Sequence, residues 1–366
     1  MRRAPVLALC TAFALACASS HAPPPPPLPP AAPVTLPADP IDALFADYSG
    51  AVPGASVIVI QNGRVVLSRA YGMADLTNRV AATPRTDYRL ASVTKQFTAM
   101  GIMLLVKDGK LGYDLPVRDI LTEMPPLSHQ VTIRNLLNHT SGVLDYEDLI
   151  PDTQTVQVHD ADVLKLLATR DSMNFAPGTR YRYSNSGYCL LALIVERVAK
   201  KPFARFLQER IFGPLGMTSS VAHQDGVDTV PNRAYGYTPD SGRFLPTDQS
   251  VTSATLGDGG VYTSVEDLVR WDQALYPGGL MDSATMTQAT TPPLLPTDST
   301  QYGFGWFIDS YRGVRRWRHT GETSGFRNAI QRYPDRRFTV IILTNRNGGD
   351  PATIAEHISD QLLFHP

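Results

Sequence analysis

β-Hairpin signals stand at both ends of this chain, with helical periodicity between them. Near the N-terminal end the run Val57-Ile58-Val59-Ile60 leads into Asn62-Gly63 and then Val65-Val66-Leu67. Asn-Gly accepts the positive φ angles that a tight two-residue hairpin needs. Near the C-terminal end, residues 329–332 and 338–344 flank Pro334-Asp335 and predict a second hairpin. The expected architecture is one antiparallel sheet built from the two ends and flanked by helices. Asp39-Pro40 supplies an N-cap and a first-turn proline for a helix that places Ile41, Leu44, Phe45 and Tyr48 on one face. Residues 351–363 predict a closing helix with Ile354, Ile358 and Leu362 on one stripe.

Between the hairpins the period changes. Leu136-Leu137, residues 163–167 and residues 187–198 carry helical apolar spacing, the last apolar nearly all round and therefore expected to be buried. This predicts an all-α lobe over about 111–250, inserted into an α/β lobe of about 41–110 and 251–366, with strands resuming near Val261-Tyr262 and residues 304–308. No internal repeat is present.

Ahead of this domain the composition differs. Arg2 and Arg3 precede an apolar run, residues 4–16, too short to span a bilayer and suited to a signal-peptide core. Export is the expectation, with residues 1–16 as signal peptide. Phe13-Ala14-Leu15-Ala16-Cys17 resembles a bacterial lipobox, in which Cys17 becomes a lipid anchor; Ala14-Leu15-Ala16 and Ala16-Cys17-Ala18 equally suit simple signal cleavage. Residues 17–40 are rich in proline and predict an extended tether reaching roughly 70 Å at about 3.1 Å per residue. An anchored periplasmic or cell-envelope protein is expected, joined to its membrane through that N-terminus.

The formal net charge is -1, with no basic cluster, so nucleic acid is not an expected partner. Of three cysteines, Cys10 and Cys17 fall in the leader, which leaves Cys189 alone in the domain. It sits in an apolar run and reads as a buried structural thiol.

Three short strings carry the chemistry: Ser92-Val93-Thr94-Lys95, Tyr183-Ser184-Asn185 and His319-Thr320-Gly321. Ser92 precedes Phe97, Met100, Met103, Leu104 and Val106, a segment closed by Asp108-Gly109. That places it at a helix N-terminus with Lys95 one turn on and on the same face. The helix end puts positive potential and free N–H groups beside the hydroxyl, where an oxyanion would form. Tyr183 and Asn185 lie in a loop before the buried helix. His319 to Gly321 lie before the last hairpin, at an expected sheet edge. Each string alone is weak, and His139-Thr140-Ser141-Gly142 shows how readily a His-Thr string arises in a loop. In this order they equip a site between two lobes for acyl transfer through a serine ester.

With these strings, residues 136–142 (LLNHTSG), 177–188 (PGTRYRYSNSGY), 259–271 (GGVYTSVEDLVRW) and 319–326 (HTGETSGF), the chain resembles the serine β-lactamase and penicillin-binding-protein superfamily. It is most similar to the class C and DD-peptidase-like branch, which includes esterases and D-aminopeptidases. The resemblance implies an α/β sandwich with an antiparallel sheet plus an all-α lobe. Ser92 is the implied nucleophile, and Lys95 with Tyr183 the implied proton-transfer pair. Asn185 would orient Lys95 and the substrate amide; the backbone N–H groups of Ser92 and Glu322, just after Gly321, would form the oxyanion hole. The proton is left undivided between Lys95 and Tyr183.

One position departs from the pattern. Many β-lactamases of this superfamily carry lysine where this chain has His319, which is mostly neutral near pH 7, so weaker capture of a substrate carboxylate is expected. The reading is an esterase or D-amino-acid-type peptidase or carboxypeptidase acting on a small ester, amide or peptide without cofactor or metal. The alternatives are a β-lactamase and a penicillin-binding sensor or scaffold that acylates without turnover. A metal-dependent hydrolase using His139, His159 and His223 has no ligand spacing in its favour, and a Gly-x-Ser-x-Gly elbow is absent.

Overall fold

The computed structural model describes residues 40–296 and 301–365. The expected signal segment, Cys17 and the proline-rich tether lie outside the described residues, as does Asp39. The main sheet has six antiparallel strands: β1 (Ala55–Gln61), β2 (Arg64–Tyr71), β3 (Phe307–Tyr311), β4 (Val314–Thr323), β5 (Phe326–Tyr333) and β6 (Phe338–Thr344). Their spatial order is β3-β4-β5-β6-β1-β2, so the two ends of the chain meet where β6 pairs with β1. Both expected hairpins are present. Asn62 (φ 52°) and Gly63 (φ 77°) turn β1 into β2, the paired positive angles this turn requires.

Side chains alternate across the sheet, and each face has its own core. Val57, Val59, Val340 and Ile342 bury one face against Ile41, Phe45 and Tyr48 at the start and Ala355 and Ile358 near the end. The helix predicted around Ile41 is a short α1 (Pro40–Leu44) continued by a 3-10 turn over Ala46–Tyr48. Ile58, Ile60, Ile330, Ile341 and Leu343 face the opposite way, into a larger core that runs without a break through the helices of both lobes. Those helices are α2 (Lys95–Lys107), α3 (Ile133–Leu137), α4 (Asp160–Ala168), α5 (Asn185–Ala199), α6 (Phe203–Leu207) and α7 (Val265–Ala274), while α8 (Pro351–Ser359) covers the first face. Residues 186–195 of α5 are all buried, Cys189 among them, as its continuous apolar pattern predicts. A buried ion pair ties α7 to the sheet: Arg332 Nε donates to Asp272 Oδ1 at 2.7 Å, and Thr339 Oγ1 donates to the same oxygen at 2.7 Å.

The stretch 111–250 is not helical throughout. Val221–Ala222 pairs with Val261–Thr263, which also pairs with Tyr88–Arg89, giving a small three-stranded sheet. Val261-Tyr262 therefore does not resume the main sheet. Tyr237–Asp240 and Arg243–Pro246 form a further hairpin across Ser241 (φ 48°) and Gly242 (φ 83°). Ser-Gly is a turn signal that the helical reading passed over.

Candidate active site between the two lobes

Ser92 does not open an α-helix directly. It lies in a 3-10 turn, Ala91–Thr94, and Lys95 is the first residue of α2. Tightening the first turn in this way is a common start to a helix. Ala91, just before the serine, has φ 49°, a left-handed conformation unfavourable for a residue with a Cβ. The residue before it is tied by a tertiary contact: Leu90 N–H donates to Val261 O at 2.8 Å.

Lys95 is buried, and its Nζ makes three hydrogen bonds: to Ser92 Oγ at 3.1 Å, Asn185 Oδ1 at 2.7 Å and the main-chain oxygen of Asp258 at 2.9 Å. Each partner comes from a different part of the chain. Asn185 is the first residue of α5 rather than a loop residue. Asp258 is brought up by a turn that Asp160 grips from the start of α4, accepting from the N–H groups of Leu256 at 2.8 Å and Gly257 at 3.1 Å. Burial alone would drive Lys95 toward the neutral amine, but negative charge at Tyr183 and Asp258 outweighs it and holds the pKa above the usual lysine range.

Tyr183 sits with its ring centroid 5.0 Å from Lys95 Nζ. Its hydroxyl is buried and makes no well-aligned hydrogen bond among the described residues. The ring packs 4.3 Å from that of His139 and 6.3 Å from that of His319. His139, the decoy string of the sequence, is thus a wall of the site. Its Nδ1 accepts from Ser184 N–H at 3.2 Å, and burial, then Lys95 and His319, push it well below the usual histidine range.

His319 to Gly321 are not on an edge strand, because β3 lies outside β4. The pairing of β3 with β4 nevertheless ends at Phe307 and Arg318, so residues 319–323 run past it with that backbone edge free of β3. This free edge packs on the turn carrying Ser92: a Cβ on Gly321 would stand 2.1 Å from Leu90 O. Only glycine permits that approach. His319 itself is buried. Its Nδ1–H donates to Thr320 O at 2.6 Å, and its Nε2 accepts from the Tyr302 hydroxyl at 2.9 Å. Burial pushes it down to about 3, so the imidazole is neutral at pH 7. The Glu322 side chain is mostly in solvent, 3.5 Å from Arg327.

Ser92, Asn185 and Glu322 line one pocket with Arg89, Glu147 and Asp258, three residues the sequence reading did not single out. Asp258 stands directly before the glycine pair of residues 259–271, which was a signal available in the sequence. Nothing local marked Arg89 or Glu147. Among the described residues no group of three or more His, Cys, Asp or Glu side chains is placed to hold a metal.

A serine hydroxyl bonded to a buried lysine at a helix start, in a pocket between a sheet lobe and a helical lobe, is an arrangement of the serine-hydrolase class. The beta-lactamase family model matches residues 41–363, and the chain belongs to that family. It is 34% identical over 307 residues to penicillin-binding protein 4* of Bacillus subtilis, covering 80% of this chain and 68% of that protein. It is 29% identical over 316 residues to a D-aminopeptidase of Brucella canis, covering 84% of this chain and 59% of that enzyme. Among solved structures, the D-amino acid amidase of Ochrobactrum anthropi superposes with TM-score 0.72 at 25% identity, covering 87% of this chain and 94% of that one. The protein is accordingly a serine hydrolase of the β-lactamase-related superfamily.

Proposed function

We propose that the protein is an exported enzyme that cleaves an ester or amide, of the D-amino-acid peptidase or amidase type, through an acyl-enzyme on Ser92. The observation that carries this reading is the 3.1 Å contact between Lys95 Nζ and Ser92 Oγ at a pocket shared by both lobes. Two of the three Lys95 contacts are to pure acceptors, Asn185 Oδ1 and Asp258 O, and its raised pKa keeps it an ammonium. An ammonium cannot accept the Ser92 proton. Tyr183, acting in its phenolate form beside the Lys95 ammonium, takes that proton and, then a phenol, returns it to the leaving group. The backbone N–H groups of Ser92 and Glu322 hold the oxyanion, the second on the free edge of β4. The D-aminopeptidase and D-amino acid amidase relatives support an amide substrate.

β-Lactam hydrolysis is the weaker activity. At the third string the cation that would hold a β-lactam carboxylate is replaced by a neutral, buried imidazole already bonded on both nitrogens. Intact-mass spectrometry after a fluorophosphonate should show one adduct, absent in Ser92→Ala. Turnover of p-nitrophenyl esters and D-amino amides should exceed that of a cephalosporin. A long-lived penicillin adduct with no turnover of any ester or amide would instead make the protein a penicillin-binding sensor. Export and the lipid anchor at Cys17 are tested by membrane fractionation of wild type and Cys17→Ser.

A further inference from the structure

Lys95 is fully buried, and an ammonium without an anion nearby would give up its proton in such a place. Tyr183, Asp258 and Glu147 can each offer it negative charge. The Tyr183 ring centroid is 5.0 Å from Nζ. Asp258 is joined to Nζ through its main-chain oxygen at 2.9 Å, and its carboxylate attracts the ammonium most strongly after Tyr183. Glu147 is exposed and reaches Lys95 through one amide: Asn185 Nδ2 donates to Glu147 Oε1 at 3.1 Å, while Asn185 Oδ1 accepts from Nζ. The other ionisable groups facing the ammonium are held neutral by burial, His139 and His319 with lowered pKa values, Tyr188 and Cys189 with raised ones.

These sources of charge differ in permanence. Tyr183 becomes a neutral phenol once it has taken the Ser92 proton, so its support for the ammonium is lost as the ester bond forms. Glu147 is screened by solvent, and burial, then Asp145 and Asp258, push its carboxyl up, so it gives way early to protonation. Asp258 takes no part in the transfer and is only 6% exposed. Its Oδ2 accepts from the Tyr146 hydroxyl at 3.2 Å, and its Oδ1 has no hydrogen-bond donor among the described residues. Asp160, which grips this turn, lies close enough to feel the same charge: burial, then Asp258, push its carboxyl up to about 7. A carboxylate with an unmatched oxygen and an acidic neighbour is a costly choice if the turn needs only a shape. Any residue could supply the main-chain oxygen; what the Asp258 side chain adds is charge.

We propose that Asp258 is a positioning residue whose carboxylate is the fixed counter-charge keeping Lys95 an ammonium while Tyr183 gains and loses the Ser92 proton. This rests on the hydrolase reading above and deepens it. The proton leaves Ser92 Oγ as that oxygen bonds the substrate carbonyl carbon, resides on the Tyr183 oxygen, and passes to the leaving group as its bond to that carbon breaks. Lys95 keeps its own protons throughout.

The test is the pH dependence, from pH 5 to 10, of Ser92 labelling by a fluorophosphonate and of kcat/KM for p-nitrophenyl acetate. The active Lys95–Tyr183 pair holds one proton fewer than its fully protonated form and one more than its bare form, so activity has an acid and an alkaline limb. Removing negative charge beside the pair loosens both protons. Asp258→Asn and Asp258→Ser should therefore move both limbs to lower pH by about one unit, making the alkaline side up to about tenfold slower and the acid side up to about tenfold faster. Asp258→Glu should keep the wild-type limbs, and Glu147→Gln should move them by less than half as much. Limbs that stay in place or move upward in the neutral variants would overturn the proposal, since a structural role lowers the rate evenly at every pH. A shift in Glu147→Gln as large as in Asp258→Asn would overturn it too, as would failure of both neutral variants to fold by circular dichroism. Wild type that shows neither labelling nor turnover would mean that the hydrolase reading itself has failed.

Discussion

At the scale of the residue, Tyr183 and His319 are set by burial in opposite ways. The Tyr183 hydroxyl is buried with the Lys95 ammonium as its polar neighbour and no well-aligned hydrogen bond, an arrangement that a purely structural tyrosine would not need. Tyr183→Phe should therefore leave thermal stability unchanged or slightly raised while kcat falls by roughly 10² to 10⁴-fold, measured by melting and by ester hydrolysis on the same samples. His319 is neutral because its pKa in the fold is about 3, against 6.5 for a free imidazole. Between those values the unfolded chain binds a proton that the native state refuses. Its contribution is complete above about pH 6.5 and is lost as pH falls toward about 3, with a limiting slope of about 1.4 kcal/mol per pH unit. Denaturant unfolding at pH 7, 6 and 5 should show a shallower acid decline in His319→Gln than in wild type, His139 being common to both. A decline identical in the two would mean that His319 does not titrate this way.

At the scale of the element, the site depends on β4 outrunning β3 and lying against the turn that carries Ser92. Gly321 makes this possible, and its α-hydrogen faces Leu90 O where a methyl group would stand 2.1 Å away. Gly321→Ala should push β4 and the Ala91–Thr94 turn apart, destabilise the fold by about 1–3 kcal/mol, and lower kcat/KM by more than that loss of folded protein explains. Unfolding midpoints and fluorophosphonate labelling rates would read the two effects separately. The strand itself was legible only in part. His319-Thr320-Gly321 announced a functional backbone segment, but the free edge belongs to an inner strand that outruns its outer neighbour, and strand order is not written in local pattern. The 3-10 turn at Ser92 was missed for a related reason, since the left-handed Ala91 before it follows Leu90, which Val261 ties down from far along the chain.

At the scale of the molecule, one core crosses the lobe boundary. The cluster that buries Ile58 and Ile341 of the sheet also buries Leu136, Val163 and Leu190 of the helical lobe. The lobes should thus unfold together: near-ultraviolet signals from Trp271, Trp306 and Trp317, all in the sheet lobe, should follow the same transition as the far-ultraviolet helix signal. Two separated transitions would show that the lobes are independent. The sequence by itself determined the two terminal hairpins, the buried helix α5, the solitary buried Cys189 and the Ser92–Lys95 pairing, because each rests on period, turn chemistry or a spacing of three residues. Tertiary structure alone decided the rest. Long-range packing brought Asp258, Asn185 and Ser92 around one ammonium, made the decoy His139 a wall for Tyr183, and set Glu147 and Asp258 in the pocket. Such contacts join residues whose separation along the chain carries no periodic signal, and the charge each group bears depends on desolvation that only the assembled fold imposes.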